Sequence, residues 1–140
     1  MKLSFLLCDS AQASEGKLYI LGAGWNFTGP QVTPMALALL VEVPWNEANL
    51  QHQVVIELHD EDGQPARIGP EAQPLRIETQ LEVGRPPGHP HGTPLNVPLA
   101  INLGPLPLTP GGRYVWVVSI DGETDDHWRA SFNVRPGAPA

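Results

Sequence analysis

The sequence predicts an all-β fold: two packed layers of antiparallel strands, about eight of them, forming one domain over residues 1–140. Three observations carry that expectation. Apolar and polar residues alternate with period two along much of the chain, which sorts side chains onto the two faces of a strand and would scatter them round a helix. The 14 Gly and 16 Pro supply punctuation for many short strands, where a helical bundle would need long uninterrupted runs. Residues 45–50, Trp-Asn-Glu-Ala-Asn-Leu, are the one place left for a helical turn.

Taken in order, residues 2–8, 17–25 and 35–43 read as strands with apolar side chains on both faces. In the last of these, Leu37, Leu39, Val41 and Val43 oppose Ala36, Ala38 and Leu40. Two-faced burial marks central strands or strands that meet another subunit. Segment 52–60 places Val54, Ile56 and Leu58 inward, with Glu57 and His59 outside. Asp60-Glu-Asp-Gly63 and Asp121-Gly-Glu-Thr124 carry turn chemistry. Segment 75–83 directs Leu75, Ile77, Leu81 and Val83 to one face, and segment 95–103 does the same with Leu95, Val97, Leu99, Ile101 and Leu103. Pro98 removes a ladder donor there, so this strand should be an edge or carry a bulge. Tyr114, Trp116, Val118 and Ile120 line the inner face of the next strand, and Trp128, Ala130, Phe132 and Val134 that of the last.

The stretch Leu108-Thr-Pro110-Gly-Gly-Arg-Tyr114 resembles the tyrosine corner of immunoglobulin-like and fibronectin-type sandwiches, in which a Tyr opening the penultimate strand bonds back to upstream backbone. The resemblance implies an immunoglobulin-like Greek key, with Leu108, Pro110 and Tyr114 as fold-determining residues. Longer pieces, Phe5-Leu-Leu-Cys-Asp-Ser-Ala-Gln12, Gly16-Lys-Leu-Tyr-Ile-Leu-Gly-Ala-Gly-Trp25, Val43-Pro-Trp-Asn-Glu47, Leu58-His-Asp-Glu-Asp-Gly63, Val83-Gly-Arg-Pro-Pro-Gly88 and Pro110-Gly-Gly-Arg-Tyr-Val-Trp116, together resemble a family of small bacterial single-domain proteins of unknown function. That likeness implies one conserved domain and brings no catalytic residue with it.

Charge narrows the partners. The net charge is −7 and the 8 basic residues are scattered singly, too few to neutralise a run of phosphates or to hold an anionic membrane surface. Neither nucleic acid nor membrane is expected. The apolar run after Lys2 is shorter than the roughly 7–15 residues of an export signal, and no run approaches the roughly 18 of a membrane span. With a single Cys, internal disulfides are impossible, and a reducing, cytoplasmic setting is expected.

Candidate chemistry is sparse. Cys8 ends an apolar strand with no base beside it and reads as a small buried hydrophobe rather than a nucleophile. His89 and His91, two apart in the proline-rich loop 84–94, are weak metal candidates that His127, His59 or Asp60 would have to complete. Asp121, Glu123, Asp125 and Asp126 could offer oxygens to calcium but read more simply as a solvated hairpin tip. Arg85, framed by Gly84, Pro86 and Pro87, is expected to anchor its loop on backbone carbonyls. Trp116 and Trp128 belong to the core, whereas Trp25 and Trp45 at strand ends are candidates for contact with a partner. No phosphate-binding loop or Ser-His-Asp pattern is present, and no cofactor is expected.

The function these features favour is non-enzymatic: a β-sandwich acting through protein contacts, by self-assembly into a homo-oligomer or by docking. The interface candidates are Leu6, Trp25, Ala36, Ala38, Leu40 and Trp45, because the early strands carry more apolar residues than one core requires. A small-ligand or metal-binding module built on loop 84–94 is the alternative, and an uncharacterised enzyme the third reading.

Overall fold

The computed structural model describes residues 1–31 and 34–137. Twelve strands follow one another among them: β1 (Lys2–Cys8), β2 (Ser10–Ser14), β3 (Lys17–Leu21), β4 (Phe27–Thr28), β5 (Met35–Val43), β6 (His52–Asp60), β7 (Arg67–Ile68), β8 (Gln73–Pro74), β9 (Arg76–Leu81), β10 (Leu95–Leu103), β11 (Arg113–Ile120) and β12 (Glu123–Val134). One 3-10 turn, Trp45–Glu47, interrupts them. A three-stranded sheet, ordered β1-β5-β10, packs against a five-stranded sheet, ordered β4-β12-β11-β6-β9. Pairing is antiparallel throughout both sheets except for the short parallel contact of β4 with β12.

The alternation explains the layers. Leu37, Leu39, Val41 and Val43 on β5 point at Val54, Ile56 and Leu58 on β6, Trp116 and Val118 on β11, and Phe132 and Val134 on β12, all buried in one cluster. Trp116 and Phe132 are the largest of the fully buried side chains. Pro98 lies in an edge strand: β10 pairs with β5 alone, and the register runs unbroken through Pro98 and Leu40. Its missing N–H therefore faces away from the ladder.

Two tight turns follow from composition. Thr109 accepts from the Gly112 N–H at 3.0 Å, with Pro110 and Gly111 (φ 83°) between them, a type II turn made by Pro followed by Gly. Its closeness leaves no room at Gly112, where an added Cβ would sit 3.0 Å from the Thr109 carbonyl and the Tyr114 ring. The Tyr114 hydroxyl accepts from the Thr109 N–H at 3.0 Å, fixing the chain as it enters β11. Asp121-Gly122, with φ of 52° and 81°, forms the two-residue connection from β11 to β12 that Asp-Gly favours.

One element departs from the sequence reading. The strand expected over 17–25 stops at Leu21, and Ser10–Ser14 forms its antiparallel partner across Glu15-Gly16, both at positive φ (53° and 73°). This β2–β3 hairpin folds over the outer face of the three-stranded sheet. There Cys8, Ala36 and Ala38 are buried with Ala11, and Leu18, Ile20 and Ala100 pack on them. The Asn102 carboxamide holds the hairpin from below, donating to the Ala11 carbonyl at 2.8 Å and accepting its N–H at 3.2 Å. Ala36 and Ala38 were expected at an interface with another subunit. The chain's own hairpin covers them, and their small side chains are what let that layer approach.

Candidate functional site

Two surfaces are the candidate sites. The first is the outward face of the hairpin. Leu18 and Ile20 turn down to the alanines, which leaves the alternate residues Tyr19 and Leu21 in solvent, 52% and 70% exposed. Leu6, 46% exposed, stands on the neighbouring sheet surface opposite Ala38. Leu40 is half-buried between Ser4 and Pro98. A hollow of about 530 Å³ runs along the hairpin past Gln12, Leu18, Tyr19, Ile20 and Leu21. Tyr19 and Leu21 escaped the sequence reading, because 17–25 looked like a two-faced strand; the signal available was the Glu15-Gly16 turn, which folds the segment back and exposes one face.

The second surface centres on Trp45. Its half-buried indole opens the 3-10 turn, and the loop between β9 and β10 lies over it. The Arg85 guanidinium carbon is 4.6 Å from the ring centroid, while Nη2 and Nε donate to the Trp45 carbonyl at 2.7 and 3.2 Å. Arg85 thus ties its loop to backbone and to an aromatic face in one stroke. His89 stacks on Trp45 at 5.9 Å with the planes 5° apart, and His91 meets it edge-on at 4.9 Å. His89 Nε2 donates toward the carbonyls of Thr93 and Pro94, 3.1 and 3.2 Å away, closing the loop on itself.

The histidines do not converge on a metal. His127 is on β12 beside Asp125, its Nδ1 2.9 Å from Oδ1, and its backbone N–H followed by its ring holds that carboxyl below the usual range. Among the described residues, no three of His, Cys, Asp and Glu stand together as ligands. Trp25 also has a different task from the one expected: it packs edge-on against Phe132 at 6.0 Å, at the margin of the core. Cys8 is fully buried, its thiol 3.5 Å from the Ala36 carbonyl. Burial, followed by the nearby Asp9, pushes the thiol up, away from the reactive thiolate.

His52 was not singled out from the sequence, although it shares parity with Val54, Ile56 and Leu58 and so had to face inward. It is 4% exposed. Its Nδ1 lies 2.6 Å from Asp121 Oδ2 and its Nε2 2.8 Å from the Glu47 carbonyl. Burial works against a charge here, but the hydrogen bonds to Asp121 and to Glu47 outweigh it and raise His52 above its ordinary value. The bond from His52 in turn lowers Asp121, whose other oxygen accepts the Gln53 N–H at 2.9 Å.

Among the described residues no helix is long and apolar enough to cross a membrane. Comparison with curated proteins finds no match. A family model does match, over residues 3–135, which takes in both sheets, the covering hairpin and the Trp45 surface. The chain belongs to that family, described as a family of unknown function (DUF6941).

Proposed function

We propose that this protein is a non-enzymatic β-sandwich that works by protein contact, assembling with copies of itself through the outward face and free edge of the β2–β3 hairpin. One observation carries the reading: β3 pairs with β2 alone, and its solvent side presents Tyr19 and Leu21. Large exposed apolar side chains on a strand with one unpaired edge are what native proteins ordinarily avoid. Three of the other margins are guarded by comparison, while β1, the remaining edge of the three-stranded sheet, carries Lys2. β10 carries Pro98, β4 is two residues long, and β9 presents Arg76 and Glu78, paired at 2.7 Å. β3 has only Lys17 to discourage a partner.

The buried thiol of Cys8 and the self-satisfied loop over Trp45 support a role without catalysis. The lack of any basic run argues for a protein partner over nucleic acid or membrane, and the single thiol fits a cytoplasmic setting. We read the strand order as an immunoglobulin-like Greek key, supported by Tyr114 at the start of β11.

Size-exclusion chromatography with light scattering tests the assembly. The wild-type chain is expected to run as a homo-oligomer at tens of micromolar, and Tyr19→Ser/Leu21→Lys as a monomer with an unchanged circular-dichroism spectrum. A wild-type chain that stays monomeric at that concentration overturns self-assembly.

A further inference from the structure

His52 makes two hydrogen bonds that a neutral imidazole cannot make together. A neutral ring has one N–H, and its second nitrogen is an acceptor. Here both nitrogens face oxygens that can only accept: ionised Asp121 Oδ2 at 2.6 Å and the Glu47 carbonyl at 2.8 Å. Both are served only if the ring carries two protons and a charge. The charge is compensated locally, since Asp121 from the β11–β12 turn and Glu47 from the 3-10 turn are the ionisable groups acting on it. From β9 the residue in register is Leu81, which brings no charge.

Asp121 is held rigidly. Its Oδ1 accepts the Gln53 N–H at 2.9 Å, and its own N–H donates to the Gln53 carbonyl at 2.9 Å. When the ring gives up a proton, Asp121 keeps the Nδ1–H, because a carboxylate is the stronger acceptor. The Nε2 lone pair then confronts the Glu47 oxygen, and an attraction becomes a repulsion. Glu47 closes the turn that Trp45 opens, and Trp45 is what Arg85, His89 and His91 rest on.

We propose that His52 is a protonation-dependent bolt: charged, it fastens the Trp45–Glu47 turn to the β11–β12 turn, and on losing its Nε2 proton it releases the Glu47 carbonyl and loosens the Trp45 surface with the loop over it. The device is independent of the hairpin assembly, which lies on other residues.

Two-dimensional NMR of the full chain tests it, following the His52 ring and the Trp45 indole N–H from about pH 5 to about pH 10. Trp45→Phe serves only to assign the indole. In the wild type, the Trp45 indole and the amides of residues 84–93 are expected to move with the His52 midpoint, and the His52 ring to be doubly protonated at its acid end. Asp121→Asn, which retains an oxygen for the Gln53 N–H, is expected to lower the His52 midpoint and carry the Trp45 transition down with it. The inference is overturned if His52 titrates while Trp45 stays still, if the two midpoints separate in Asp121→Asn, or if His52 is a neutral tautomer across the range.

Discussion

Two hairpins of this sandwich, β2–β3 and β11–β12, share a kind of turn and have opposite roles. Glu15-Gly16 and Asp121-Gly122 are both two-residue connections at positive φ, yet β11–β12 is built into the five-stranded sheet while β2–β3 lies on top of the other one. The difference comes from what each hairpin offers inward. β11 and β12 contribute Trp116, Val118, Phe132 and Val134 to the main core, and their turn is fastened through Asp121. β2 and β3 contribute Ala11, Leu18 and Ile20 to a small cluster over alanines, with the Asn102 carboxamide as the chief polar tie. One hairpin is part of what makes the domain fold. The other is a layer the domain wears, and layers of that kind are where surface contacts can change without loss of the core.

The contrast is sharpest in the core. Trp116→Ala is expected to cost about 3–5 kcal/mol, read as a lowered urea midpoint that removes both sheets in one transition; a local effect confined to β11 and β12 would break the comparison. Asn102→Ala removes both polar ties to Ala11 and is expected to cost about 1–2 kcal/mol. That loss should show in hydrogen exchange as roughly tenfold faster amides in residues 10–21, with β11 unchanged. Equal acceleration in both hairpins would show that the covering layer is no layer at all.

The smallest effect is electrostatic. Because His52 is raised in the fold, its contribution to stability is complete below the ordinary histidine value and is lost as pH rises through the raised one. The change should not exceed about 1 kcal/mol, since Asp121 is half-exposed and screened. Asp121, lowered by the same bond, acts at the other end: its contribution is lost as pH falls through its depressed value. Denaturant midpoints measured against pH should therefore form a plateau, and Asp121→Asn should flatten both shoulders.

Much of the fold was legible because alternation is a direct consequence of strand geometry. The bounds expected for 2–8, 35–43, 52–60 and 95–103 are those of β1, β5, β6 and β10. Alternation tells which face is apolar; it does not tell what covers that face. Alternation therefore points Ala36 and Ala38 toward another subunit, when their cover is the hairpin formed by residues 10–21 of the same chain. β2 itself, Ser-Ala-Gln-Ala-Ser, has the composition of a loop and becomes a strand only because Lys17–Leu21 gives it a partner. The expected anchoring by Arg85 needed only a lone cation in a rigid frame, whereas the pairing of His52 with Asp121 joins residues 69 apart, which no local pattern reveals.

Pro98 has a consequence beyond marking an edge. The register across β5 and β10 is uninterrupted, so the imino ring sits on the margin that an arriving strand would have to use. Such a visitor would find no hydrogen to accept halfway along its run. Lateral growth of the sandwich by that flank is discouraged by the covalent structure of the backbone itself, whatever salt or pH surrounds it.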